Sequence, residues 1–97
     1  MNQGWDALVL HPDDDVAVAL RDIAAGARAR VRRRDEVLDL RPSEPIALGH
    51  KFALRGLAPG EPVRKYGATI GAATRAIAAG DHVHVHNLVS LRARATK

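Results

Sequence analysis

One corner is built three times in this chain, and it restricts the fold more than any other feature. The strings Ala19-Leu20-Arg21-Asp22-Ile23-Ala24-Ala25-Gly26, Ala53-Leu54-Arg55-Gly56-Leu57-Ala58-Pro59-Gly60 and Ala73-Thr74-Arg75-Ala76-Ile77-Ala78-Ala79-Gly80 share a short run, an arginine, an aliphatic anchor and a closing glycine. Alanine favours helix, but each string is too short for a stable amphipathic helix and glycine ends it at once. Each therefore reads as strand, compact turn and glycine corner, with a local helical turn before the glycine. Pro59-Gly60 is the clearest of the three turn signals. Candidate strands follow the corners at 27–31, 62–66 and 82–88, with further short extended segments at 16–20, 51–54 and 69–74. Many short strands separated by regular turn signals predict an all-β domain. The segment Leu40-Arg41-Pro42-Ser43-Glu44-Pro45 carries two prolines and reads as a flexible excursion. The tail Arg92-Ala93-Arg94-Ala95-Thr96-Lys97 reads as basic and frayed.

Ninety-seven residues suit a single domain with a modest core. Without cysteine, a disulfide framework, a thiolate zinc site and a cysteine nucleophile are excluded. No apolar run approaches the roughly 20 residues of a membrane span, and the first residues lack the regions of a signal peptide. The expectation is a soluble, cytoplasmic protein with no membrane partner. Fifteen basic residues against eleven acidic leave a net charge of +4, concentrated at Arg28, Arg30, Arg32, Arg33 and Arg34. Acidic Asp35, Glu36 and Asp39 come directly after, and Trp5, Phe52 and Tyr66 are too few for a base-stacking platform. The run reads as a solvated turn or charged edge strand, with no nucleic-acid partner. A positive potential favours small carboxylate ligands. Asp13, Asp14 and Asp15 read as a solvated turn in preference to a metal patch. Gly67 and Gly71 bracket a tight hairpin, and the residues that complete a phosphate loop are missing.

Chemistry concentrates in Asp81-His82-Val83-His84-Val85-His86-Asn87, which holds three of the five histidines. In one continuous strand the three imidazoles face one way, and Val83 and Val85 face the core. Neighbouring rings could share an ion, but the outer pair would be roughly 13 Å apart, so one metal takes two of them at most. The plain alternative is an exposed strand face carrying polar residues. Asn87 adds an amide donor and acceptor, and Asn is also an ordinary strand terminator.

Three strings taken together carry a resemblance: Gly49-His50-Lys51-Phe52-Ala53-Leu54, Lys65-Tyr66-Gly67-Ala68-Thr69-Ile70-Gly71 and Val83-His84-Val85-His86-Asn87, with the step Gly60-Glu61-Pro62-Val63 between them. They resemble the N-terminal domain of the altronate and galactarate dehydratase family, a domain of the SAF type. The resemblance implies a β-clip fold for one SAF-like domain over 1–97, with a core at about 14–88 and a basic tail at 89–97. With only ten residues after Asn87, the chain looks like the free-standing small subunit of two-chain members, such as sulfolactate sulfo-lyase and split altronate dehydratases. The same resemblance implies lyase chemistry on 2-hydroxy acids, a large catalytic subunit as partner, a small anionic hydroxy acid as substrate, and a divalent metal such as iron held here or by the large subunit. Homo-oligomerisation stays open.

The resemblance covers His50, Lys51, Lys65, Tyr66, His84, His86 and Asn87, and extends neither to His82 nor to residues 28–42. Eliminating water or sulfite needs a base for a weakly acidic proton beside a carboxylate, help for the leaving group, and a cation to hold developing charge. His84, His86 and Tyr66 are the candidate proton-transfer groups, His84 and His86 the candidate metal ligands, and His50, Lys51, Lys65 and Asn87 the candidate substrate contacts. Plain structural roles compete: a turn cap for His50, a solvated strand position for Lys65, a buried ring for Tyr66. His82 is expected to matter less than His84 or His86. The rival reading is a non-catalytic SAF module that binds a sugar acid or a protein partner.

Overall fold

A computed structural model of the chain describes residues 4–84 and 86–90. Its strands are β1 (Ala7–Leu8), β2 (Val16–Ala19), β3 (Ala29–Arg33), β4 (Glu36–Leu40), β5 (Lys51–Ala53), β6 (Pro62–Lys65), β7 (Ala68–Ala73), β8 (His82–Val83) and β9 (Leu88–Ser90). They form one sheet in the order β4-β3-β1-β2-β5-β8 and a second in the order β6-β7-β9. Only β1 and β3 run parallel; the other pairs are antiparallel. The expected all-β fold is present, and it begins earlier than residue 14, because β1 pairs with both β2 and β3. Among the described residues no helix is long and apolar enough to cross a membrane.

The corners number four among the described residues. Ile46-Ala47-Leu48-Gly49 repeats the other three directly after the stretch 40–45 read as a flexible excursion. In each corner the residue after glycine donates its N–H to the carbonyl three residues back: Ala27 to Ala24, His50 to Ala47, Glu61 to Ala58 and Asp81 to Ala78. These are single hydrogen-bonded turns, and they replace the expected local helical turns. The four glycines sit at φ between 76° and 91°, which reverses the chain before a second helical bond can form. The corners then pair. Ile23 and Ile46 exchange backbone hydrogen bonds of 2.8 and 2.9 Å, as do Leu57 and Ile77. The prolines fix this geometry: Pro42 is fully buried, and its carbonyl accepts the Gly26 N–H at 2.7 Å.

A second duplication ties the strands down. Asp6 and Asp15 are both buried, at 7% relative exposure. The Asp6 N–H donates to the Arg30 carbonyl, its carbonyl accepts the Leu20 N–H, and its carboxylate accepts the Arg30 N–H and the Arg21 guanidinium. Asp15 repeats every one of these bonds 34 residues further along for its partners, with Arg64, Leu54 and Arg55 in the same places. The arginine of a corner string thus clamps a buried carboxylate. The solvated-turn reading of the acidic run is overturned for Asp14 as well, which is buried and accepts the N–H groups of Tyr66 and Gly67 at 2.9 and 2.8 Å. Carboxylates leave water here because backbone N–H groups more than 50 residues away need acceptors.

The core divides in two, and β2 and β5 serve both parts. Ala17, Ala19 and Phe52 pack with Ala7, Val9, Ile23, Ala29, Val31 and Ile46. Their neighbours Val16 and Ala53 pack instead with Leu57, Val63, Ala73, Ile77 and Val83. Alternation along paired strands sends successive side chains to opposite faces. The basic run forms β3, an interior strand flanked by β1 and β4, so the edge-strand reading fails and β4 is the edge. The acids that come after the run fold back to meet it: Arg28 pairs with Asp39 and Arg33 with Glu36, while Arg30 lies over the Trp5 ring at 4.9 Å.

Gly71 fixes how closely β9 can approach β7. A Cβ there would sit 2.1 Å from the Val89 carbonyl oxygen, so Gly71→Ala must push β9 away. The expected loss is about 3 kcal/mol of stability, at the upper end of ordinary overpacking. Urea unfolding of the variant measures it, and a loss below about 0.5 kcal/mol would show that β9 is free to shift.

Candidate functional site

The site forms where the chain crosses from one sheet to the other. β8 pairs with β5 in the register Lys51↔Val83 and Phe52↔His82, and Val83 is fully buried. The strand then stops, contrary to the continuous strand expected over 82–88. Asn87 supplies the reason. Its N–H donates to the His84 carbonyl at 3.0 Å, its side-chain oxygen accepts the His84 N–H at 3.0 Å, and its side-chain nitrogen donates to the His82 carbonyl at 2.8 Å. The buried amide thus folds the chain back into a turn and shapes the loop, a use of Asn87 different from the expected substrate contact. Arg75, the third corner arginine, holds the same loop through the His86 carbonyl at 3.0 Å. The Thr74 N–H donates to the Asn87 carbonyl, and Leu88 enters β9. Val85, expected to anchor the opposite face, lies outside the described residues.

The turn gathers imidazoles that a straight strand would keep apart. The His82 ring centroid lies 5.5 Å from His84, in a stacked arrangement, and 5.6 Å from His86. The separation of roughly 13 Å expected for His82 and His86 is therefore wrong, because it assumed an extended backbone. His50 joins from the corner before β5, 5.2 Å from His82 and 5.7 Å from His84. His50 Nδ1 and His82 Nε2 are 3.0 Å apart, one ring donating to the other. His82, outside the family strings, is the ring that all the others touch. Burial pushes its pKa below the ordinary imidazole value; the neighbouring His50 reinforces this, Glu44 opposes it, and His84 and His86 add to it. His50, His84 and His86 are exposed.

Lys51, Lys65 and Tyr66 gather on the other side of β5. Lys51 shares a face with Ala53 and Val83, whereas Phe52 and His82 share the opposite one. Burial lowers the Lys51 pKa, and the nearby Lys65 ammonium lowers it further. Tyr66 is 69% exposed in the two-residue turn between β6 and β7, at φ 58°, beside Gly67 at φ 73°. The Asp14 carboxylate caps that turn, and the Lys65 ammonium lies 6.0 Å from the Tyr66 ring. The expected residues therefore fall into two groups: His50, His84 and His86 gathered about His82 at the β5–β8 edge, and Lys51 on the other face of β5 with Lys65 near it and Tyr66 beside Lys65. Tyr66 does not bury its ring, and His50 packs among imidazoles.

Imidazole nitrogens are suitable donors for a divalent transition metal, which tests whether these residues fit one. Among the described residues no three His, Asp or Glu side chains are spaced to ligate a single ion. Two nitrogens, on His50 and His82, are spaced for neighbouring positions on one ion. His84 and His86, the expected ligand pair, each contact His82.

Known proteins share much of this sequence. Residues 5–91 match the family model described as the altronate/galactarate dehydratase SAF domain. Altronate dehydratase from Escherichia coli strain K12 is 49% identical over 78 residues, covering 80% of this chain and 15% of that enzyme. The (2R)-sulfolactate sulfo-lyase subunit alpha of Chromohalobacter salexigens is 38% identical over 88 residues, covering 87% of this chain and 94% of that subunit. The chain thus spans about 15% of the length of the altronate dehydratases it matches, including that of Bacillus subtilis strain 168 at 37% identity over 78 residues.

Proposed function

Because this chain belongs to the altronate/galactarate dehydratase SAF-domain family, we propose that it serves as the small-subunit component of a hydroxy-acid lyase, bringing imidazoles to an active site shared with a larger catalytic unit. The observation that carries this reading is the gathering of His50, His82, His84 and His86 at an open sheet edge, three of them exposed to whatever docks there. Near-complete coverage of a relative named as a subunit supports the two-chain arrangement.

The elimination removes a proton from the carbon beside the one bearing the leaving group. The C–H electron pair forms the new double bond as the C–O or C–S bond breaks, and the leaving group departs as sulfite, or as water after taking a proton from a protonated imidazole of the cluster. Neutral imidazole suits the first transfer because its pKa lies near working pH. His84 and His86 are the exposed rings that reach a substrate, and His82 sets their places by stacking on His84 and meeting His86 at a tilt. Asn87 and Arg75 hold the turn that carries them. A divalent metal, when bound, supplies electrophilic polarisation of substrate oxygens. Lys51 and Lys65 stand on the opposite face, where their joined positive field draws anionic substrate towards the edge, and Tyr66 beside them suits contact with the larger unit.

A chain of this size has little room for a water-excluding site with a complete acid, base and charge clamp. Rigorously purified chain is expected to show no turnover on altronate, galactarate or sulfolactate, and co-expression with a candidate large subunit should give a complex that turns over one of them. Robust turnover by the chain alone would overturn the shared-site reading. A stable complex inert towards the whole panel would favour a binding module without catalytic residues.

A further inference from the structure

We propose that His50 and His82 form a two-imidazole half-site for a divalent transition-metal ion, with its other positions left to water, substrate oxygens or groups of the larger unit. Two nitrogens bound to one ion at about 2.1 Å lie about 3.0 Å apart at a right angle and about 3.4 Å apart at the tetrahedral angle. His50 Nδ1 and His82 Nε2 are separated by 3.0 Å. Both rings are held on built elements. His82 is fixed in β8 by its register with Phe52, and its carbonyl is tied to Asn87. His50 closes its corner through the Ala47 carbonyl, and its own carbonyl accepts the Ala19 N–H at 2.9 Å.

Proton bookkeeping favours the exchange. The neutral pair shares one N–H between the facing nitrogens, and an ion replaces that proton when His50 is protonated at Nε2 and His82 at Nδ1. Both rings stay neutral, so binding needs only a tautomer change and no net proton release. His84 and His86 then flank the ion's position, free for substrate protons. The half-site locates the metal of the proposed lyase, but its test uses the chain alone, so failure to find a partner or turnover leaves it standing.

The full chain is titrated with Zn²⁺ by calorimetry and with Co²⁺ by NMR, following paramagnetic broadening of the imidazole protons. One ion per chain is expected, with the strongest broadening on His50 and His82. His50→Ala and His82→Ala should each weaken binding at least tenfold, whereas His11→Ala, the histidine outside the cluster, should leave it unchanged. His50 is exposed and outside the strands, so its variant keeps the test valid if His82→Ala fails to fold. Binding no tighter than that of a His50→Ala/His82→Ala double variant would overturn the proposal. So would wild-type affinity in His50→Ala combined with loss in His84→Ala and His86→Ala.

Discussion

Asp15→Ala should cost about 3 kcal/mol of folding stability, because it strands a buried backbone N–H and removes one of the two carboxylates that hold the Arg55 guanidinium, leaving Glu61 alone. The carboxylate accepts the Arg64 N–H at 2.9 Å and the Arg55 Nε at 3.0 Å from a position 7% exposed. Asp6→Ala should do the same through Arg30 and Arg21. Losses of this size approach half the stability of a small domain, so both variants should melt well below the parent in urea at neutral pH. The effect carries a pH signature. Burial by itself would raise the Asp6 pKa, but the Arg30 N–H and the Arg21 guanidinium outweigh it and hold the group below its ordinary value. With its folded pKa depressed, Asp6 contributes its stabilisation fully above about pH 3.9, and the contribution disappears as pH falls through the lower folded value. Asp6→Asn should therefore flatten the acid limb of the stability curve. A limb as steep as the parent's would place the responsible carboxylate elsewhere.

His82→Ala should reduce kcat/KM of the assembled enzyme by roughly 100-fold, at least as much as His84→Ala or His86→Ala, with a stability change of only about 1 kcal/mol. The ring is half-buried and makes no core contact of the kind Phe52 makes, yet it organises the other three imidazoles. This reverses the ranking the family strings suggest, since those strings do not extend to His82. Steady-state kinetics with thermal melts of each variant decide the matter. Near-parental activity in His82→Ala would return it to a surface role; a large stability loss would make it a packing residue.

What could be read in advance depended on how local the cause was. Glycine corners are local, so three of four were visible along with most strands. The fourth, Ile46-Ala47-Leu48-Gly49, was hidden because Pro42 and Pro45 suggest an unpaired excursion, whereas Pro42 is buried and accepts the Gly26 N–H. β4 escaped notice because Glu36-Val37-Leu38-Asp39-Leu40 lacks clean alternation, being an edge strand half open to water. The candidate histidines were legible as a group, but their arrangement was not. Period-two spacing suggested a strand, and only the bonds of the Asn87 amide to both His82 and His84 convert it into a turn. The carboxylate clamps were out of reach for the opposite reason: nothing near Asp14 or Asp15 in sequence announces acceptors for N–H groups at residues 64, 66 and 67.

The histidine turn lies between β8, the outer strand of the larger sheet, and β9, the outer strand of the smaller one. Chain order makes it a late arrival. During synthesis, β1 to β7 are already available to pair before these two edges can be laid down, and distant pairings of this kind close on the millisecond-to-second scale. The imidazoles thus take their places only once β5 and β7, the strands these two edges pair with, are themselves in position. A chain opened at these two edges alone would then keep most of its framework while its imidazoles disperse.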